Sequence, residues 1–209
     1  MYVPKHFAET DRNVLHRLID AHPLGAWITL LDDRLEVNHI PFLIERDAGE
    51  LGTLVGHVAK ANPVWRNAST TVASVVIFQG PEAYISPSWY PAKKRHGRVV
   101  PTWDYAVVHA HGVPRVLHDK EWLLGLVEKL TTKHEAGRRA PWQVSDAPAD
   151  YVDRLLDGIV GIELPIARLE GKWKVSQNRP SETDAIIQGL REQPDPESQA
   201  MARLLEERT

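Results

Sequence analysis

The stretch "GAWITLLDDRLEVNHIPFLIE", residues 25–45, carries two apolar runs separated by the turn signal Asp32-Asp33. Each run is short, contains β-branched and aromatic residues, and is bounded by turn-forming residues, which is the pattern of a β-strand. Three similar runs follow, "LGTLVGHVA", "TVASVVIFQG" and "EAYIS". Five strands with short connections predict an antiparallel barrel or sandwich.

The segments around these strands predict peripheral helices and a return to the sheet. Asp11 is a candidate cap for a first helix, Asp119 opens a helix with one apolar stripe, and another helix is predicted near 148–158. A further strand or bent pair is predicted in "WDYAVVHAHGVPRVLH", and two late strands, "IVGIELPIARLEG" and "KWKVSQN", are predicted to turn at Glu170-Gly171. The chain is therefore expected to be mainly β with peripheral helices, an α+β protein.

The C-terminal region is predicted to form a helical tail. Ser181, with Asp184 three residues later, predicts a capped helix that ends near Gln193, and a last short helix follows "PDP". We predict a domain over 1–180, with inserted helices near 119–158, and a tail over 181–209. The acidic residues of the tail match phosphate poorly, so we interpret it as a lid or dimer clasp.

Composition excludes several classes of protein. The chain has 209 residues, no cysteine and a formal net charge of −3. The lack of cysteine excludes disulfides, thiolate metal sites and cysteine nucleophiles. Its apolar runs are too short to span a bilayer and its N-terminus lacks a signal pattern, so we expect a cytoplasmic protein without a membrane segment. Any contact with nucleic acid must come from a local basic patch.

Common catalytic signatures are missing from the sequence. There is no G-x-S-x-G, no G-x-x-x-x-G-K-[ST] and no G-x-G-x-x-G. No general base is evident, so catalytic residues stay unassigned. His109 and His111 would share one face of a strand, but nothing indicates a third ligand, and no metal site is predicted.

Aromatic residues flank a basic segment between two strands. Trp89 and Tyr90 precede it, Trp103 and Tyr105 follow it, and its cations are Lys93, Lys94, Arg95 and Arg98. A solvated loop, a nucleic-acid surface and the wall of a pocket for a planar phosphorylated ligand all fit this composition.

The segment "HVAKANPVWR", residues 57–66, places Lys60 just past the end of a predicted strand, with Asn62 and Trp65 in the turn that follows. A lysine in this position can meet a phosphate dianion while Asn62 supplies hydrogen bonds. An exposed loop lysine without a ligand fits the same pattern.

Seven segments together resemble the PaiB-like family of FMN-binding negative transcriptional regulators, within the split-barrel flavin-binding superfamily. They are "MYVPKHF", "NHIPFLI", "GHVAKANPVW", "FQGPEAYISPSWY", "VPTWDYAVVHAHG", "GIELPIARLEGKWKVSQNR" and the "GL" at 189–190. They occur in the family's order from Met1 to about Leu190. The resemblance implies a six-stranded antiparallel split barrel, a homodimer, and FMN in a groove between the subunits.

The resemblance also implies roles for particular residues. Lys60 would grip the FMN phosphate, and the strand that carries Asn38, His39 and Ile40 would run beside the isoalloxazine ring. The late polar residues Lys174, Gln177 and Asn178 would contact the ring from the other side. As a separate hypothesis from the residues themselves, Trp65, Trp89 and Tyr90 wall the flavin, and His57 or Gln177 bonds the polar edge of the ring. Asn62 supplies hydrogen bonds beside the phosphate.

The expected function is that of a negative transcriptional regulator, a repressor. If it binds DNA directly, the contact would come from Lys93, Lys94, Arg95 and Arg98. A flavin-dependent oxidoreductase acting on a small molecule is the alternative. Haem is an alternative ligand, because haem-degrading relatives use the same barrel and this chain has ten histidines.

Overall fold

The computed structural model describes residues 1–31, 33–68 and 71–208. The strands are β1 Ala8–Glu9, β2 Leu24–Leu31, β3 Arg34–Pro41, β4 Leu43–Glu45, β5 Thr53–Ala59, β6 Ser74–Ile85, β7 Thr102–Gly112, β8 Arg115–Leu117, β9 Ile159–Pro165 and β10 Arg168–Lys174. The helices are α1 Arg12–Ala21, α2 Val64–Asn67, α3 Pro91–His96, α4 Lys120–Glu135, α5 Ala149–Leu156, α6 Thr183–Arg191 and α7 Pro196–Glu206. None of the helices described is both long enough and apolar enough to cross a membrane.

The chain forms two compact units, and the first comprises Met1–Ala21, Gln79–His109 and Glu170–Thr209. Its strands lie in the order β1-β10-β7-β6, and β1 pairs antiparallel with β10. Helix α1 buries Leu15, Leu18 and Ile19, a spacing that puts three apolar side chains on one helical face. Helices α6 and α7 bury apolar side chains in the same way, including Ile186, Leu190, Met201 and Leu205.

The second unit comprises His22–Phe78 and Ala110–Leu169. The N-terminal part of β6 pairs here with β2, and β2 pairs with β3 from Leu24↔Pro41 to Leu31↔Arg34. A separate sheet has the order β4-β5-β9-β8. Val55 of β5 packs against Leu126 and Leu130 of α4, so the apolar stripe of this helix covers one face of that sheet.

Several predictions from the sequence are confirmed by these elements. The first three of the five early strands correspond to β2, to β3 with β4, and to β5, and the pairs that they form are antiparallel. Asp11 caps α1, since its Oδ1 accepts the Asn13 N–H at 2.8 Å, and Asp119 caps α4, since its Oδ1 accepts the Trp122 N–H at 2.6 Å. Asp32 of the predicted turn lies outside the described residues. The division at residue 180 stays a prediction.

Other predictions are wrong. "TVASVVIFQG" and "EAYIS" form one strand, β6, and the late strands are divided at Ile166-Ala167, so β10 runs through Glu170-Gly171. Ser181 does not cap α6: it lies in a 3-10 turn over Pro180–Glu182, and Glu182 precedes the helix. The basic segment, for which a solvated loop was one interpretation, is largely helical, because Pro91 begins α3 and Gly97, with φ +69°, ends it.

Candidate functional site

Lys60 follows the last residue of β5 and is anchored through its backbone. Its N–H donates to the Gly158 carbonyl at 2.8 Å, and its Nζ donates to the Asp157 carbonyl at 3.3 Å. The side chain is exposed. The ammonium group therefore stands at the surface of the second unit on a fixed stretch of backbone, as the sequence predicted.

Asn62 links the turn after β5 to strand β3. Its Nδ2 donates to Asn38 Oδ1 at 2.7 Å, and its Oδ1 accepts the Val64 N–H at 3.0 Å. Asn38 Nδ2 is buried and has no hydrogen-bond partner among the described residues. A buried amide donor without an acceptor is costly, so this atom offers a binding position for a ligand oxygen or nitrogen.

Trp65 lies in α2 and is fixed by three contacts within the same unit. Its Nε1 donates to the Lys60 carbonyl at 3.0 Å, and the His118 ring meets it edge-on at 5.2 Å. The Arg66 guanidinium carbon lies 4.6 Å from the centre of its ring. Asn38, Lys60, Asn62, Trp65 and Arg66 are called the Lys60 cluster below.

The sequence did not indicate Arg66 or His118 as site residues. Arg66 directly follows Trp65 in the chain, and this adjacent cation is the feature of the sequence that could have indicated it. His118 is 53 positions after Trp65 in sequence numbering, and no local pattern connects the two. The Lys60 cluster combines two cations, an indole ring and an unsatisfied amide donor. This combination can hold an anionic group beside a planar ring.

The three predicted residues of β3, which are Asn38, His39 and Ile40, do not lie on one face of the strand. Asn38 and His39 are neighbours on a strand, so they lie on opposite faces of it, and Ile40 returns to the face of Asn38. Ile40 is buried and His39 is exposed. The three residues therefore cannot all contact one face of a ring, because strand side chains alternate.

His57 lies on the face of its sheet that α4 covers. It pairs with Gly161 on the neighbouring strand, and paired residues share a face of the sheet. A Cβ on Gly161 would lie 3.0 Å from Cε3 of Trp122, a residue of α4. His57 Nδ1 is buried without a hydrogen-bond partner among the described residues, and burial lowers the pKa of this imidazole. The neutral form of His57 is therefore favoured. Its contact with a flavin stays a prediction.

Trp89 and Tyr90 belong to the first unit. The Trp89 ring packs on Gly189 of α6, and the Tyr90 ring is buried beneath the Arg179 guanidinium, 5.0 Å from its centre. Tyr90 Oη has no hydrogen-bond partner among the described residues, and burial raises the pKa of the phenol. Their contact with a flavin stays a prediction.

The late polar residues of the first unit are mostly engaged inside it. Lys174 Nζ donates to Thr102 Oγ1 and to the Trp103 carbonyl. Gln177 accepts the Val175 N–H at 2.8 Å and donates to the Trp173 carbonyl at 2.6 Å. Asn178 presents its side chain to solvent. All three stay predicted ligand contacts.

The basic residues of the predicted nucleic-acid contact lie in and just after α3. Lys93 Nζ donates to Ser88 Oγ at 3.2 Å, and Arg95 pairs with the buried Glu182 carboxylate at 2.8 Å. Lys94 and Arg98 are exposed. Helix α3 therefore presents a cationic surface on which one charge, that of Arg95, is already paired.

Comparison with known proteins gives three results. Residues 1–168 match a family described as "Putative FMN-binding domain". The chain is 34% identical to uncharacterized protein AN0679 of Emericella nidulans, over 100% of this chain and 97% of the relative. It is 32% identical to protease synthase and sporulation protein PAI 2 of Bacillus subtilis, over 100% of this chain and 98% of the relative.

One solved structure supports the fold. The FAD and heme binding protein from Mycobacterium smegmatis superposes with a TM-score of 0.60 at 18% identity, covering 80% of this chain and 73% of that one. At this identity the likeness concerns the fold alone. It agrees with the mainly antiparallel sheets described above and with the split-barrel fold of flavin-binding proteins.

Proposed function

The chain belongs to the family described as "Putative FMN-binding domain", as its motifs indicated, and we propose that it binds FMN at the Lys60 cluster and acts as a regulator of transcription. In this proposal the protein is a cytoplasmic homodimer. When bound, FMN would supply a reversible electron acceptor. The side chains of the protein would hold its phosphate and its ring.

The single observation that carries the proposal is the geometry of the Lys60 cluster. Lys60 and Arg66 supply positive charge for a phosphate dianion, and charge-assisted hydrogen bonds to phosphate are the strong ones. The unpartnered Asn38 Nδ2 supplies a donor for an acceptor atom of a flavin ring. Trp65 is held in place by the Lys60 carbonyl, so its indole is ordered before a ligand arrives.

The cluster is tested by titrating the full-length protein with FMN and following the quenching of flavin fluorescence. We expect saturable binding that Lys60→Ala and Asn38→Ala each weaken by about 10-fold, because each removes a hydrogen bond to a charged or buried group. Lys94→Ala and Asn13→Ala, at exposed positions of the first unit, are the matched controls. A lack of saturable binding, or equal weakening by all four changes, contradicts the proposal.

The absorption spectrum of the freshly purified protein separates FMN from haem. A flavin spectrum with two visible bands is expected. A Soret band would instead support haem, which is named for the Mycobacterium smegmatis protein of similar fold. Binding of haem but not FMN would overturn the cofactor assignment while leaving the fold unaffected.

The regulatory part of the proposal is supported by a relative and by α3. The name of the Bacillus subtilis relative refers to protease synthesis and sporulation. Lys93, Lys94 and Arg98 offer exposed charge that can meet a DNA backbone, although the chain as a whole carries a net charge of −3.

Direct DNA binding is tested by measuring retardation of the promoter fragment upstream of the protein's own gene at several salt concentrations. We expect affinity to fall as salt rises, and to fall further when Lys93, Lys94, Arg95 and Arg98 are replaced by alanine. Replacement of four exposed cations of the second unit, Arg34, Arg115, Lys129 and Arg154, is the control. Equal effects of both quadruple changes would exclude α3 as the contact.

A further inference from the structure

The first unit contains a cavity of about 380 Å³, and none of its lining residues belongs to the Lys60 cluster. It is bordered by the C-terminal part of β6, the start of β7 and the beginning of α7. Three aromatic side chains and three carboxylates line it, and these are Tyr84, Trp89, Trp103, Glu82, Asp195 and Glu197. The remaining lining residues are Ala83, Gln193 and Ser198. No lysine, arginine or histidine is among the described residues that line it.

Two of the three aromatic rings of this cavity are open to solvent. Trp103 is 55% exposed and Tyr84 is 47% exposed, and the two rings meet edge-on at 6.0 Å. Trp89 is held against Gly189, where a Cβ would lie 2.5 Å from its Cγ and 2.6 Å from its Cε2. Exposed aromatic faces are electron-rich surfaces available to a ligand.

Two of the three carboxylates accept hydrogen bonds from neutral groups. Asp195 Oδ1 accepts the Ser198 N–H at 2.8 Å and caps α7, and this backbone bond lowers the pKa of Asp195. Glu82 Oε2 accepts from Gln79 Nε2 at 3.1 Å, and Glu197 lies exposed in the first turn of α7. Because hydrogen bonds to neutral groups leave the charge in place, the lining carries negative charge around the rings.

Lys174 adjoins this lining without being part of it. Lys174 Nζ donates to the backbone carbonyl of Trp103, and it lies 3.6 Å from the buried carboxylate of Asp104. Its charge is therefore directed at Asp104, and it is not among the residues that line the cavity.

We propose that this cavity binds a small organic cation with an alkylammonium centre. An ammonium group over an aromatic face is attracted by the negative charge of the ring face, and quaternary ammonium groups are recognised in this way. The surrounding carboxylates add attraction for a cation and would repel the phosphate of a nucleotide. Trp89, predicted from the sequence as a wall for the flavin, serves the cation in this proposal.

The probe is choline, and its uncharged carbon isostere 3,3-dimethylbutan-1-ol is the control ligand. Isothermal titration of the full-length protein should show saturable choline binding in about the millimolar range. The isostere should bind at least about 5-fold more weakly, because it matches choline in shape and lacks its charge. Equal binding of the two ligands, or no saturable choline binding, overturns the proposal.

Variants locate the site. Trp103→Leu should weaken choline binding by roughly 3- to 30-fold, the range of one cation–π contact, whereas Trp142→Leu, at a tryptophan 47% exposed in the second unit, should leave it unchanged. Glu197→Gln should weaken binding about 3-fold, and Glu128→Gln on the exposed side of α4 should have no effect. Undiminished binding in both Trp103→Leu and Glu197→Gln would overturn the location. Circular dichroism checks that each variant is folded.

Discussion

Asp104 is a fully buried carboxyl group in the first unit, near the start of β7. Its Oδ2 accepts from Ser176 Oγ at 2.6 Å, and its Oδ1 lies 3.6 Å from Lys174 Nζ without a hydrogen-bond partner among the described residues. Ser176 has a positive φ of 56°, an uncommon backbone conformation for a residue other than glycine. Burial raises the pKa of Asp104, and the bond from Ser176 and the charge of Lys174 oppose it.

A change of Asp104 to asparagine should reveal this pKa in stability measurements. Because the folded-state pKa lies above the ordinary 3.8, the folded protein retains the proton where the unfolded chain has lost it. Wild type therefore loses stability as pH rises from that value through the raised pKa, and Asp104→Asn does not. From about pH 4 to about pH 7, the free energy of unfolding of the variant should rise relative to wild type.

Urea denaturation at each pH measures this difference. The size of the rise depends on how far burial raises the pKa of Asp104. Asp184→Asn, at an exposed position of α6, is the carboxyl control. A difference that falls with rising pH would mean that Lys174 outweighs burial and that the pKa of Asp104 is lowered.

Individual site residues differ in how far the sequence could predict them. Lys60 was predictable because its position depends on one local feature, the end of strand β5. The role of Asn38 could be only partly predicted, because the burial of its Nδ2 depends on packing between distant segments. The cavity of Glu82 and Asp195 was only partly predictable: the sequence indicates Trp89 and Trp103 as one possible pocket wall, but Asp195 follows Glu82 by 113 positions and no local pattern connects the two.

At the scale of elements, two glycines explain the wrong strand boundaries. A Cβ on Gly80 would lie 2.8 Å from Leu18 Cδ1 and 3.1 Å from the Ala106 carbonyl, and one on Gly171 would lie 2.9 Å from the Glu9 carbonyl. Both glycines therefore lie inside continuous strands where a neighbouring segment approaches closely. The sequence cannot distinguish such a glycine from one in a turn, because the difference is made by a distant residue.

Two helical glycines test whether close approach of a neighbouring side chain makes a glycine necessary, because only one of them has such a neighbour. Gly189 of α6 lies against the Trp89 ring, so Gly189→Ala should destabilise the protein by about 1–3 kcal/mol through overpacking. A methyl group on Gly125 of α4 would meet no neighbouring atom within 4 Å, so Gly125→Ala should stabilise the protein by up to about 1 kcal/mol through helix propensity. Urea denaturation measures both, and stabilisation by Gly189→Ala would show that Trp89 moves freely.

At the scale of the whole molecule, one face of the second unit suggests how two copies could associate. β3 is an edge strand, and Val37 pairs with Ile28 while Leu35 pairs with Leu30. Leu35 is 71% exposed and Val37 is 51% exposed. Ala26, Val75 and Ile77 extend the same face, since Ala26 pairs with Ile77 and Ile28 with Val75. An exposed apolar face beside an edge strand favours association with another protein surface. The proposed homodimer implies that a second copy of the chain covers this face.

Sedimentation equilibrium tests this association. Wild type should sediment with about twice the 23.6 kDa chain mass, and Leu35→Lys should shift it to the mass of one chain, because a buried lysine without a partner opposes association. Leu155→Lys on α5, a leucine that is also exposed, should stay dimeric. If wild type sediments as a single chain, the homodimer is wrong; if Leu35→Lys remains dimeric, the interface lies elsewhere. FMN titration of Leu35→Lys then shows whether the cofactor depends on the partner, since a groove shared by two chains should lose affinity when the chains separate.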